Sequence, residues 1–132
     1  MNGQKETILQ FGAGKFLRAF FDLFVQEAAE AGEDPGKVVV VQSTPGSRVE
    51  KLNNSGCAYH VLLRGLRSGE RMDEARRVES ISRALVAGES WGEVLELARS
   101  PELRIVVSNT CLLYTSDAAD EGLGVDLGGR RI

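Results

Sequence analysis

Thr7-Ile8-Leu9-Gln10-Phe11-Gly12-Ala13-Gly14-Lys15-Phe16-Leu17-Arg18-Ala19 is the stretch on which the fold turns. Thr7 to Phe11 is β-branched and apolar, a short strand that stops at Gly12. Past Gly14 the apolar period changes from two to about 3.6 residues. Phe16, Phe20 and Phe24 fall in one row, with Leu17, Phe21 and Ala28 in the row beside it. Gln26, Glu27 and Glu30 take the other side. The spacing predicts an amphipathic helix from about Lys15 to Ala31, with the phenylalanine stripe in the core. Gly32 stands where a helix C-cap is expected, and Pro35-Gly36 makes the turn that follows.

Val38-Val39-Val40-Val41 comes next, with no polar position on either side. A strand with one wet face would alternate, whereas this run suits a parallel strand covered twice. Strand, glycine turn, helix and strand make a right-handed βαβ unit. Ser43 to Gly56 is polar and carries the turn signals Pro45-Gly46 and Asn53-Asn54-Ser55-Gly56. Tyr59 to Arg64, a turn at Ser68-Gly69-Glu70, and Arg76 to Ile81 read as a hairpin. Ser90-Trp91-Gly92-Glu93 has capping-box spacing ahead of Val94, Leu95, Leu97 and Ala98. Pro101 ends that helix, and Arg104 to Asn109 is a last strand. The alternation predicts an α/β fold, an incomplete Rossmann-like parallel sheet with an inserted β-hairpin.

The chain has 132 residues, 42% hydrophobic and 27% charged, which fits one globular domain. Sixteen basic against nineteen acidic side chains give a formal charge of −3, which argues against a nucleic-acid or membrane partner. The basic run Arg64, Arg67, Arg71, Arg76, Arg77 and Arg83 is interleaved with Glu70, Asp73, Glu74 and Glu79, so a solvated hairpin is expected. Two cysteines make no disulfide framework, and no signal or membrane-spanning run occurs, so a cytoplasmic protein is expected. His60, the single histidine, has no metal-ligand companions and is expected to be structural, and Cys57 an idle thiol.

Chemistry points to the glycine turn. Gly12 allows the tight bend, and Gly14 lets backbone approach a pyrophosphate with no Cβ in the way. Free N–H groups at a helix start then bind phosphate. Leu17 occupies the third position of G-x-G-x-x-G, where Gly or Ala is usual, and an ordinary turn is the alternative. At the end of the Val38–Val41 strand, Gln42 could hydrogen-bond a ribose hydroxyl but does not repel a 2′-phosphate. With Arg48 near, the choice of NAD or NADP is open.

Ile8 to Phe20 resembles the N-terminal signature of the mannitol dehydrogenase family of polyol dehydrogenases, nearest its tagaturonate reductase branch. Val38 to Gln42, Leu63-Arg64-Gly65, Ser80 to Arg83, Ala98 to Arg104 and Val107 to Thr110 follow the same template in order. The resemblance implies an NAD-dependent, metal-independent oxidoreductase that reduces tagaturonate to altronate by hydride transfer. Fructuronate reductase, mannitol dehydrogenase and a non-catalytic nucleotide-binding module are the alternatives. By resemblance Phe11, Gly12, Ala13, Gly14, Lys15 and Phe16 form the dinucleotide loop, with Lys15 where Asn is usual. Asn109 and Thr110 map near the cofactor. The family's helical C-terminal domain, with its catalytic lysine, has no counterpart in this sequence, so no catalytic residue is assigned. The chain alone is expected to bind nucleotide weakly or not at all, to be inactive, and to expose a sheet edge and an apolar face.

Residues 1–110 are thus expected to be the first part of a dinucleotide-binding domain. Cys111 to Asp120 and Val125 to Ile132 resemble the two ends of a translated sequencing-library adapter. Residues 111–132 are therefore expected to be a non-native tail and are excluded from the fold reading.

Overall fold

Val38 and Val40 pack into one apolar layer, Val39 and Val41 into another, and all four are buried. Successive side chains of a strand point to opposite faces, so this strand must be covered twice. The computed structural model describes residues 5–109; Thr110 and the expected tail, 111–132, lie outside the described residues. In chain order the elements are β1 (Glu6–Phe11), α1 (Lys15–Ala19), α2 (Phe21–Glu30), β2 (Lys37–Gln42) and α3 (Ser47–Asn54). Then follow β3 (Tyr59–Arg67), β4 (Glu70–Val78), β5 (Ile81–Val86), α4 (Ala87–Arg99) and β6 (Ile105–Ser108).

The main sheet has the order β5-β2-β1-β6, and every pairing in it is parallel. The strand following β1 lies on one side of it and β6 on the other. Such a reversal opens a crevice at the carboxyl ends of the strands. Val25 of α2 and Val49 and Leu52 of α3 cover one face, with Ile8, Val38, Val40 and Ala84. Val94 and Leu97 of α4 cover the other, with Leu9, Val39, Val41 and Leu85. β3 and β4 form a separate antiparallel pair. Their two-residue loop, Ser68-Gly69, has both φ values positive (54° and 83°), which matches the twist of a hairpin.

Several boundaries differ from the sequence reading. The first helix is interrupted at Phe20 (φ −115°, ψ −68°), although Phe20 N–H still donates to Phe16 O and Phe24 N–H to Phe20 O. The phenylalanine stripe is not core: Phe16, Phe20 and Phe24 are 60%, 51% and 57% exposed. Val25 and Phe21 pack against the sheet instead, and Leu17 is buried. Two adjacent rows were apolar, and periodicity cannot choose between them. Ser47–Asn54, read as turns, is a helix whose only buried residues are Val49 and Leu52. Asn53 explains its purpose: the side-chain amide donates to Ala84 O and accepts from Ala84 N–H, covering the open edge of β5. The segment Arg76 to Ile81 is two strands, because β4 ends at Val78 and Ile81 opens β5 in the main sheet. Ser90 (φ −131°, ψ 32°) is the non-helical residue at which two helical pieces of α4 meet, so a helical stretch does begin after it. The Glu93 carboxylate accepts from Arg83, whose fork also grips Glu6, rather than closing a capping box.

The hairpin is solvated but anchored at its base. Arg76 pairs with Glu27 (2.9 Å) and Glu30 (2.8 Å) of α2, and Glu79 N–H donates to Gln26 Oε1 (2.7 Å). β6 is the exposed edge, with Ile105 46% and Val106 60% accessible.

Gly36 (φ +81°) lies against β1, where a Cβ would overlap the Thr7 side chain and approach Lys5 O to 2.9 Å. Thr7 is buried and its hydroxyl donates to Pro35 O, so it cannot yield. Gly36→Ala is expected to cost about 2 kcal/mol in urea unfolding, from strain plus overpacking.

Candidate functional site

The chain leaves β1 at its carboxyl end through a turn held from two sides. Gly12 N–H donates to Val41 O (2.9 Å), and the Gln10 side-chain amide donates to Gly12 O (2.8 Å). Gly12 has φ +128°, a conformation other residues avoid. Gly14, the N-cap of α1, is extended (φ −77°, ψ 172°) and offers no capping side chain. The first N–H groups of α1 are therefore left without a side-chain acceptor.

The turn forms one wall of a cleft of about 780 Å³. Gln42, Ser43 and Thr44 at the end of β2 form a second wall, and Ser47, Arg48 and Lys51 of α3 a third. Arg18 and Tyr59 close the inner end. Of the residues expected at a dinucleotide, Gly12, Ala13, Gly14 and Gln42 line this cleft. Phe11, Lys15, Phe16 and Asn109 do not. Phe11 packs on the α4 side of the sheet, and Lys15, Phe16 and Asn109 are exposed. The Gln42 amide donates to Thr44 O, while its Oε1 is buried without a donor.

Behind the cleft is a buried polar cluster. Tyr59 donates its hydroxyl to Arg18 O (2.6 Å), and the Arg18 guanidinium lies 5.5 Å from the Tyr59 ring centre. Asp22 is fully buried, and neither carboxylate oxygen has a hydrogen-bond partner among the described residues. Burial pushes its pKa up to about 7, against the smaller pull of the Gln10 amide and Arg18. Burial, and then the Asp22 charge, push the Tyr59 phenol up. Cys57 is buried in the core, and burial pushes its thiol up. His60 is exposed.

An altronate oxidoreductase of Halalkalibacterium halodurans is 41% identical over 120 residues, covering 88% of this chain and 23% of the relative. That of Phocaeicola vulgatus is 42% identical over 105 residues, covering 80% and 22%. Among solved structures, a Pseudomonas fluorescens mannitol 2-dehydrogenase in complex with NAD and D-mannitol superposes with a TM-score of 0.71 at 24% identity. It shares the fold over 81% of this chain and 22% of its own. A D-sorbitol dehydrogenase gives 0.69 at 26% identity, over 81% and 22%. The chain belongs to the mannitol dehydrogenase family. No family model matches it. It spans less than a quarter of the length of the relatives it matches.

For a mannitol dehydrogenase family chain, the sequence reading found the glycine turn and Gln42 but not the wall opposite. Lys51 was hidden because α3 was read as turns. Tyr59 and Asp22 gave no usable signal, since neither spacing nor type shows that they meet around Arg18. Among the described residues no helix is long and apolar enough to cross a membrane, and no three His, Cys, Asp or Glu gather as metal ligands.

Proposed function

We propose that this chain holds the adenosine and diphosphate part of NAD for an oxidoreductase that reduces tagaturonate to altronate. The observation that carries this reading is the Gly12–Gly14 turn, opening onto a cation-lined cleft at the carboxyl edge of a parallel sheet. The residues fit the group. Gly14 has nothing within 4 Å of a Cβ position, so backbone is open to a phosphate. The Gln42 Oε1 atom lacks a donor, which a ribose hydroxyl could supply.

When bound, a nicotinamide dinucleotide supplies the hydride for a keto carbon. In this reading Gly12, Ala13 and Gly14 present backbone to the diphosphate, and Arg18 balances its charge. Phe11 supports the turn from below. Lys15, Phe16, Asn109 and Thr110 are proposed as outer contacts made when the cofactor extends beyond the cleft. Residues 1–110 form the first part of the dinucleotide-binding domain. Relatives named altronate oxidoreductase favour a sugar acid over a neutral polyol as substrate.

Saturation-transfer NMR on the purified chain tests the reading. Adenine and ribose protons of NAD are expected to receive saturation more strongly than nicotinamide protons, and 5′-AMP to compete. No transfer to the adenosine half would contradict it. NADH oxidation with tagaturonate by the chain alone is expected to be absent; measurable turnover would show that the chemistry needs no further sequence.

A further inference from the structure

β6 is the least covered strand of the main sheet. Ile105 pairs in register with Ile8 and points to the α2 side, whereas Val106 pairs with Leu9 and points to the α4 side. Parallel strands are covered by helices on both faces, yet Ile105 and Val106 both stay exposed. On the α2 side a groove of about 230 Å³ lies between α2 and β6, walled by Phe21, Phe24, Val25, Pro35 and Ile105. Its two polar side chains are already committed: the Thr7 hydroxyl donates to Pro35 O, and Arg104 to Asp34 O. Phe20, one helical turn before Phe24, extends the apolar rim and is also more than half exposed. A contiguous apolar surface of this kind fits another protein surface.

Topology says which one. The steps from β1 to β2 and from β2 to β5 go one way across the sheet, and α2 and α3 cover one face. The step from β5 to β6 goes the other way, and α4 covers the opposite face. Both agree with right-handed crossovers. A further parallel strand beside β6 would continue in the second direction, so its connecting helix belongs on the α4 side, over Val106. The groove at Phe24 and Ile105 is then left open by the sheet's own connections. More than three quarters of each altronate oxidoreductase relative lies outside the part matched by this chain, ample sequence to fill it. We infer that this groove docks a later part of the full-length polypeptide, one that follows the completed sheet and presents an apolar face to Phe20, Phe24 and Ile105. The contact is independent of what the glycine turn binds.

Thiol labelling of Phe24→Cys, read at residue 24 by peptide mass spectrometry, tests this contact. Residue 24 is exposed, and Cys57, the free cysteine among the described residues, is buried. In the full chain the new thiol is expected to label at the rate of a free cysteine. In a fusion where residues 1–109 replace the matched part of the Halalkalibacterium halodurans relative, labelling should be at least about tenfold slower and recover in urea. Free-rate labelling in a fusion that unfolds cooperatively would overturn the inference. Slow labelling in the chain alone that quickens on dilution would also overturn it, because a second copy would then be the occupant. The full-length relative, with a cysteine at the position aligned with Phe24, gives the same reading without a fusion. Slow labelling is expected there, and free-rate labelling would overturn the docking site.

Discussion

Gly12→Ala is expected to lower dinucleotide affinity at least about tenfold and to cost roughly 1–3 kcal/mol of stability. Space is not the obstacle, because a Cβ at Gly12 would meet only Leu17 Cδ1, at 3.4 Å. The obstacle is the backbone: φ is +128°, and the peptide is pinned by the bond from its N–H to Val41 O. An alanine must either keep a strained dihedral or rotate the turn and break that bond. Rotation would redirect the backbone that meets the phosphates. Gly14→Ala provides the contrast, since its φ of −77° suits any residue and nothing lies within 4 Å of a Cβ. That variant should keep the wild-type unfolding midpoint and lose affinity only through the methyl group facing the ligand. Wild-type affinity in Gly12→Ala would mean that this conformation is not needed for binding.

Asp22→Asn is expected to stabilise the protein at pH 8, by up to about 4 kcal/mol. The carboxyl is fully buried without a hydrogen-bond partner among the described residues, and its pKa of about 7 stands well above the ordinary 3.8. An acid raised in the folded state contributes stability that is complete below its unfolded pKa and is lost as pH rises through the folded one. Here the loss spans pH 4 to about 7, because the unfolded chain ionises first. Urea unfolding of wild type and variant at pH 5 and pH 8 measures this. The difference between them should grow with pH, which removes the contribution of every unchanged group. A difference independent of pH would contradict the buried, protonated state. Gln10 holds the glycine turn through Gly12 O, so the acid sits directly behind the binding backbone.

The parallel sheet was legible because burial on both faces leaves a simple trace: four successive valines without a polar position. The glycine turn was legible because its backbone demands a residue type. What failed has a common physical origin. The choice between two neighbouring apolar rows on α1 and α2 depends on where the sheet lies, and the Phe16, Phe20 and Phe24 row lost. α3 buries only Val49 and Leu52, so its amphipathic signal was weaker than the turn signals at either end. Asn53 looked like a turn residue, but its amide pairs with the β5 edge, a partner 31 residues away. Half of the cleft was therefore invisible. Arg48 was noticed only as a neighbour in sequence, and Lys51 was not singled out.

Amide NMR on the uniformly labelled chain measures the central claim most directly, by mapping which backbone groups respond to added NAD. Shifts should concentrate at Gly12, Ala13 and Gly14 and at 42–51, across the carboxyl edge of β1 and β2, with little change in the β3–β4 hairpin or α4. Shifts confined to the hairpin, α4 or β6, or none at saturating ligand, would contradict the assignment of this turn as the diphosphate site.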